Sequence, residues 1–235
     1  MIDLHCHILP NLDDGPTDMQ TSIDMAKIAA EDGIKTIVAT PHINDKLHSN
    51  LNIRALVSEL NINMEYQNIP VKVLQGGDVF ALAPPSQLKD YTVNNSRYIL
   101  LEFPRNYLPT NFKEILFSWA LEGLCPIITH PERNLTIMKK PDLLLDMLHG
   151  NVFVQITAGS LTGKFGRDEQ ACSSYLLQKK AVHFIATDAH SNEYRRPILS
   201  RGLKQAEKIV GKGMAMKLVL DNPSAVLNDE PILLG

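Results

Sequence analysis

Apolar residues gather in seven short, nearly continuous runs, at positions 2–5, 36–40, 71–75, 98–102, 125–129, 152–156 and 183–187. Each has strand length and is rich in branched side chains, so each predicts a strand. The intervening segments carry helical spacing instead. Thr17 and Gln20 have the spacing of a capping box, with Ile23, Ala26, Ala29 and Ala30 forming a buried side before Gly33. A more polar helix is predicted over 51–66. Asn111 and Glu114 form a second candidate box, followed by Phe112, Ile115, Leu116 and Trp119 at helical spacing and by Gly123. Positions 141–149 read as helical up to Gly150, a further helix runs through Leu176 and Leu177, and 196–210 and 213–220 close the chain as helices.

Strands that are apolar along their whole length belong to a parallel sheet covered on both faces. A doubly wound sheet and a barrel both satisfy that pattern, and the polar residues decide between them. In a doubly wound sheet the chemistry collects at one crevice. In a barrel it collects at the C-terminal ends of many strands around one rim. Six of the seven runs here end in His, Asp or Glu. The expected fold is therefore α/β, a barrel of the TIM-like type built on seven strands.

Composition narrows the reading. The chain has 235 residues, 44% apolar and 21% charged, which suits a single domain over 1–235. A net charge of -3 offers no broad basic surface, so no nucleic-acid partner is expected. No apolar run approaches the roughly 18 residues of a membrane span, and the chain begins directly with a strand, so no targeting segment is expected. Cys6, Cys125 and Cys172 are odd in number and form no CxxC pair, which points to a reduced, cytoplasmic protein.

The first seven residues bring in the chemistry. Side chains alternate along a strand, so His5 and His7 face one way and Cys6 the other. Taken with the other strand ends, the candidate metal ligands are His5, His7, Asp14, His42, Asp78, Glu102, His130, Asp188 and His190. Five imidazoles and four carboxylates are too many for one ion, and mixed N/O donors suit Zn, Mn, Fe or Co. Clustered divalent ions leave a net positive site, suited to a phosphate dianion, and bring bound water to a pKa near about 7. Arg133, three residues past His130, has the fork to hold two phosphate oxygens. Asp13 is read as a turn or supporting residue. His48, His149 and His183 are read as ordinary loop or packing histidines, the cysteines as small buried residues, and Met25, Ile28 and Trp119 as core. Lys139 and Lys140 are read as a solvated loop. Phe103, Tyr107 and Tyr194 on rim loops are candidates to stack on an aromatic substrate.

The order His5-x-His7, Asp14-Gly15-Pro16, Pro41-His42, Glu102, His130-Pro131-Glu132-Arg133 and Asp188-x-His190 resembles the PHP (polymerase and histidinol phosphatase) superfamily over essentially the whole chain. Within it the chain looks most like the bacterial protein-tyrosine phosphatases of the CpsB/CapC kind. The resemblance implies a distorted (β/α)7 barrel with two or three divalent ions at the C-terminal strand ends. His5, His7, Asp78 and Asp188 would hold one ion, Asp78, Glu102 and His130 a second, and Asp14, His42 and His190 a third. The family usually has Glu where this chain has Asp78. It also has an arginine followed by proline after the last ligand pair; Arg195 matches by spacing and Arg196 by its neighbour Pro197, and Arg196 is the expected choice. Arg133, Arg195, Arg196 and Tyr107 are thus the candidates to meet substrate.

The activity so implied is hydrolysis of phosphotyrosine in proteins by metal-hydroxide attack on phosphorus. The implied partner is the phosphorylated tail of a bacterial tyrosine autokinase in exopolysaccharide or capsule regulation. The competing readings are another hydrolase on the same scaffold, such as a histidinol-phosphatase-like phosphoesterase, a nuclease or an amidohydrolase, and a non-catalytic metal-holding scaffold. An amidohydrolase would want a lysine on the fourth strand and a histidine after the sixth, where this chain has Glu102 and Thr157. A scaffold would need far fewer than nine ligands. A cysteine-based tyrosine phosphatase is disfavoured, because the positions six after Cys6, Cys125 and Cys172 are Leu12, Pro131 and Gln178, none an arginine.

Overall fold

The computed structural model describes residues 1–43, 50–148 and 150–232. Strand β1 (Ile2–Cys6) leads to α1 (Met19–Glu31), β2 (Thr36–Ala39) and β3 (His42–Ile43), then α2 (Asn50–Tyr66), β4 (Lys72–Gln75), β5 (Asp78–Phe80) and a short α3 (Pro85–Leu88). After these come β6 (Tyr98–Glu102), α4 (Phe112–Leu121), β7 (Cys125–Thr129), α5 (Leu135–Lys139), α6 (Asp142–Leu145), β8 (Phe153–Thr157), α7 (Ala158–Leu161), α8 (Arg167–Gln178) and β9 (Phe184–Ala186). Helices α9 (Ser200–Val210), α10 (Lys212–Met216) and α11 (Asn222–Leu227) follow. No helix among the described residues is long and apolar enough to cross a membrane.

The strands form two parallel sheets, ordered β1-β2-β4 and β3-β5-β6-β7-β8-β9. Two of the predicted strands are each divided between the sheets. The run at 36–40 stops at Ala39 and resumes past Pro41 as β3, and the run at 71–75 resumes past Gly76 and Gly77 as β5. The glycines allow a close crossing. A Cβ on Gly76 would lie 2.8 Å from Val38 Cγ1, and one on Gly77 2.7 Å from Ile43 Cγ1. The crossing sets His42 opposite Asp78 in the β3–β5 register. The two sheets' outer strands, β1 and β9, meet through an isolated parallel bridge between Cys6 and Ala189, where His7 N donates to Ala189 O at 2.8 Å and Asp188 N to His5 O at 2.9 Å. The expected barrel is therefore met only as a parallel α/β fold: no closed sheet is seen among the described residues.

The strand interiors are apolar on both faces, as a doubly covered sheet requires. Leu4, Ile37, Val38, Ile99, Leu100, Ile127, Val154 and Ile185 are all buried, and Met25 and Trp119 join them from the helices, while Ile28 is half-buried. Helix starts depart from the predicted capping boxes. Asp18 caps α1, its carboxylate accepting from Thr21 N at 2.7 Å, one residue past the expected Thr17. Asn111 precedes α4 but makes no side-chain cap; its backbone carbonyl accepts from Ile115 N at 3.1 Å. The helix expected from 196 begins only at Ser200, because Asp32, at the end of α1, accepts from Leu199 N and Ser200 N at 2.7 and 2.8 Å and fixes the start there. The helix expected at 141–149 is the short α6, and 213–220 divides into α10 and a wider π-type turn.

Candidate metal centre

The nine candidate ligands gather at one mouth, from the C-terminal ends of β1, β6, β7 and β9 and from the first residues of β3 and β5. His5 sits in β1 and His7 just past its end, with Asp14 in the following loop. His42 opens β3, Asp78 opens β5 and Glu102 ends β6. His130 follows β7, and Asp188 and His190 follow β9. His130 and Asp188 have left-handed backbones, with φ of 31° and 50°, unusual for residues with a Cβ. The turn there aims each side chain back across the mouth instead of along the strand.

The nine fall into overlapping donor groups whose ligand atoms lie within 4.8 Å of one another. These are His5, His7 and Asp188; His5, Asp78 and His130; His42, Asp78 and Glu102; and His7, Asp14, His42 and His190. His5 Nε2 lies 3.5 Å from both Asp78 Oδ2 and Asp188 Oδ1. His42 Nδ1 is 3.5 Å from Asp78 Oδ2 and 3.3 Å from Glu102 Oε2. His130 Nε2 faces Glu102 Oε1 at 3.6 Å, and His190 Nε2 faces Asp14 Oδ1 at 3.2 Å. Asp78 thus stands between two groups even with its short side chain.

Supporting hydrogen bonds fix which nitrogen three of the rings offer. His7 Nδ1 donates to Asp13 Oδ2 at 2.6 Å, and the same carboxylate accepts from His42 N at 3.0 Å and Gly15 N at 2.9 Å. His5 Nδ1 meets Gln155 Oε1 at 2.8 Å, and His190 Nδ1 meets the Asp188 carbonyl at 3.0 Å. These partners are acceptors, so the Nδ1 atoms carry the protons. The Nε2 atoms of His5 and His7 are left facing each other at 3.1 Å.

This donor set fits divalent cations. Buried Asp78 Oδ2 has no hydrogen-bond partner, and an orphaned carboxylate oxygen facing the lone pair of His5 Nε2 at 3.5 Å is costly without a cation. Burial opposes charge on His7 and His42, but the carboxylates around them win. The Asp13 and Asp188 contacts raise His7 to about 9, and Asp78 and Glu102 raise His42 to about 11. Burial dominates at His5 and His130 and lowers both to about 4, leaving neutral donors. The His190 contact lowers Asp14 to about 2; Glu102 also falls to about 2, where His42 and His130 outweigh burial. The carboxylates draw positive charge to the mouth, protons on His7 and His42 that a metal would displace, while neutral His5 and His130 and the ionised carboxylates already have the forms that bind metal.

Two guanidiniums close one side. Arg133 Nη1 donates to Asp188 Oδ2, and Arg195 Nη2 donates to the same oxygen at 2.5 Å and to the Asp188 carbonyl at 2.9 Å. Both lie over the ring of Phe165, with Cζ 4.8 Å and 5.9 Å from its centroid. Arg195 Nε is buried without a hydrogen-bond partner. Arg196, the expected choice of the pair, is exposed and lines the neighbouring cleft instead.

Residues 1–228 match the family model described as capsular polysaccharide synthesis, CpsB/CapC. The chain belongs to the CpsB/CapC family. It is 36% identical to the tyrosine-protein phosphatase YwqE of Bacillus subtilis, over 99% of this chain and 93% of that one. It is 26% identical to the tyrosine-protein phosphatase CpsB of Streptococcus agalactiae serotype III, over 99% and 100%. A chain from the crystal structures of YwqE from Bacillus subtilis and CpsB from Streptococcus pneumoniae, described as unique metal-dependent tyrosine phosphatases, superposes with a TM-score of 0.92 at 36% identity, covering 99% of this chain and 96% of that one. The lactonase Lmo2620 of Listeria monocytogenes, at 12% identity and a TM-score of 0.60, shares the fold alone.

In this CpsB/CapC chain several site residues escaped the sequence reading. Asp3 accepts from Thr187 N at 2.9 Å and Thr187 Oγ1 at 2.5 Å, tying β1 to the end of β9; burial raises its carboxyl to about 7. Alternation along β1 puts Asp3 on the face of His5 and His7, a signal available from sequence. Gln155 is a polar residue inside an apolar strand, a second such signal. Glu132 is fully buried next to Arg133 and accepts from Thr157 N, Thr157 Oγ1 and Ser160 Oγ at 2.7–2.9 Å. Phe165 left no signal at all. Of the rim aromatics, Phe103 is buried, while Tyr107 and Tyr194 are exposed at 51% and 73%, and none of the three packs with the donor rings. His183 accepts from Val154 N at 3.1 Å against Phe153, a packing role. His48 and His149 lie outside the described residues. Cys6, Cys125 and Cys172 are buried and free.

Proposed function

We propose that this chain is a metal-dependent protein-tyrosine phosphatase acting in capsule or exopolysaccharide synthesis. The observation that carries the reading is the convergence of nine metal donors and two arginine forks on one mouth, in a chain that matches metal-dependent tyrosine phosphatases along its length. We assign His5, His7, Asp78 and Asp188 to one ion, Asp78, Glu102 and His130 to a second, and Asp14, His42 and His190 to a third. Manganese, iron, zinc and cobalt all suit such donors. Bound there, the cations supply Lewis acidity and a source of hydroxide near neutral pH.

The chain's own residues do the rest. Arg133 and Arg195 share Asp188 and present their remaining N–H groups to incoming phosphate oxygens, matching the planar fork to the anion. Phe165 backs both guanidiniums and limits their freedom. Asp13 and Gln155 hold the rings of His7 and His5 in the tautomer that leaves Nε2 free. Hydrolysis breaks the phosphorus–oxygen bond to tyrosine, adds water oxygen to phosphorus and returns a proton to the phenolate. A phenolate leaves readily, so a dedicated buried acid is not needed. Two finer readings go with this one: the two sheets form a distorted seven-stranded barrel, and the substrate is the phosphorylated tail of a bacterial tyrosine autokinase. The three unpaired cysteines support a reducing, cytoplasmic setting.

The test is a panel of phosphotyrosine peptide, histidinol phosphate and single-stranded DNA, run on chelated protein as each metal is restored. Metal-dependent release of phosphate from the phosphotyrosine peptide, lost in His42→Ala with an unchanged circular dichroism spectrum, is the expected result. Preference for histidinol phosphate would move the chain to the small-molecule phosphoesterases, and turnover that survives chelation would end the metal reading.

A further inference from the structure

Beside the metal mouth lies a second cleft, of which this chemistry uses only Arg195 and the Phe165 ring. It runs from Thr187 at the end of β9 past Phe165 to the first turn of α9, with about 80 Å³ of open space. Lys164, Arg195, Arg196 and Arg201 line it, and no carboxylate among the described residues does. Arg195 and Phe165 belong to both places, so the cleft opens directly onto the mouth. Lys164, Arg196 and Arg201 are exposed, and no carboxylate of the described residues lies within ion-pair distance of them. Burial and the guanidiniums of Arg195, Arg196 and Arg201 push the Lys164 ammonium below its ordinary value. Arg195 is paired with Asp188, but the charge of Lys164, Arg196 and Arg201 is left unneutralised by the described residues.

The charge continues outward. Arg201, Lys204 and Lys208 stand at i, i+3 and i+7 on α9, hence on one face, and all three are exposed. They line a shallow groove that meets the cleft at Arg201 and contains one carboxylate, Glu207. A protein of net charge -3 has thus gathered a stripe of cations leading away from one side of its mouth.

We propose that this stripe is a subsite for acidic residues, aspartate or glutamate, flanking the phosphotyrosine in the substrate polypeptide. The inference rests on the phosphatase reading for the phosphotyrosine and adds the sequence context that the enzyme selects. An arginine fork and two ammonium groups match a row of carboxylates in an extended segment. One exposed pair contributes little, so selection comes from several cations acting together and weakens as salt screens them. The stripe lies away from the metal donors, so it acts on binding and leaves the chemical step alone.

The test uses full-length, metal-restored protein and phosphotyrosine peptides carrying three glutamates on one side, three on the other, or glutamines in their place. At low salt, KM for one glutamate peptide is expected to fall about tenfold below its glutamine counterpart with kcat unchanged. In Arg201→Gln/Lys204→Gln the gap should shrink to about twofold, while hydrolysis of free phosphotyrosine is unaltered. Both residues are exposed, and a matching melting temperature checks the fold. Lys164→Gln serves as a second variant, kept separate because Lys164 also donates to the Tyr194 carbonyl. Equal KM values for glutamate and glutamine peptides, or a gap that the variants leave intact, overturns the proposal. Anisotropy binding of the same peptides to chelated protein separates the two readings. If no peptide is hydrolysed but the glutamate preference persists and falls in the variants, the subsite stands and the phosphatase reading fails; if the preference is absent from binding as well, the subsite is rejected.

Discussion

Asp13 lies behind the metal donors, and its two oxygens serve three groups: the ring of His7, the backbone of His42 and the backbone of Gly15. Removing it frees the His7 ring to turn and to take the wrong tautomer. We expect Asp13→Ala to weaken metal binding about 10- to 100-fold, measured by titrating chelated protein with Mn²⁺ in a calorimeter. Asp13→Asn keeps one acceptor and should lose less. Wild-type affinity in Asp13→Ala would remove Asp13 from the site. Gly159 acts by having no side chain: a Cβ there would stand 2.6 Å from the Phe165 ring. Since that ring backs Arg133 and Arg195, Gly159→Ala should displace the arginines without touching them. A misplacement of this size is expected to cost roughly tenfold or more in kcat/KM, with melting temperature as the control. An unchanged kcat/KM would mean that the ring is only a neighbour.

Strands were the legible elements, because a buried parallel strand writes its apolar run directly into sequence. Their breaks at Thr40-Pro41 and Gly76-Gly77 were less so, since the reason for each lies in the other chain segment it crosses. Helix starts were misread where the cap came from far away. Asp32 sets the start of α9 across 168 positions of sequence, through Leu199 N, Ser200 N and Ser200 Oγ. Losing such a cap costs about 0.5–2 kcal/mol, so Asp32→Ala should lower the melting temperature by about 1–8 °C for a chain of this size. Calorimetry checks it, and no change would show that α9 starts without help. The seam between β8 and β9 gives a pH dependence. His183 Nδ1 accepts from Val154 N, and burial lowers the ring to about 4 from the ordinary 6.5. Its neutral form stabilises the folded chain fully above pH about 6.5, and that contribution is lost as pH falls toward about 4. The whole contribution is of the order of 3 kcal/mol. Denaturant titrations at pH 7 and pH 5 should therefore show a smaller loss in His183→Gln than in the wild type; equal losses would contradict it.

The mouth of the molecule was readable in outline, since nine polar residues at the ends of apolar runs are visible without coordinates. What surrounds it was hidden because each contact joins distant positions: His5 to Gln155, Asp3 to Thr187, Arg133 and Arg195 to Phe165. These contacts come from both ends of the chain and from both sheets. β1 and β9 meet through a single bridge at Cys6 and Ala189, beside His7 and Asp188. An ion held by His5, His7 and Asp188 would therefore add a further tie between the outer strands beside the hydrogen bonds that join them. The metals should then act on the whole fold as well as on the reaction. A ligand at about 100 times its dissociation constant adds about 2.7 kcal/mol to the folded state. For this length that raises the melting temperature by about 5–10 °C. Calorimetric scans of chelated and metal-saturated protein measure the difference, and Asp188→Asn, which weakens the donor that the end of β9 adds to His5 and His7 of β1, should shrink it. If chelated and loaded protein melt together, the ions do not join the strands, and the donors serve catalysis alone.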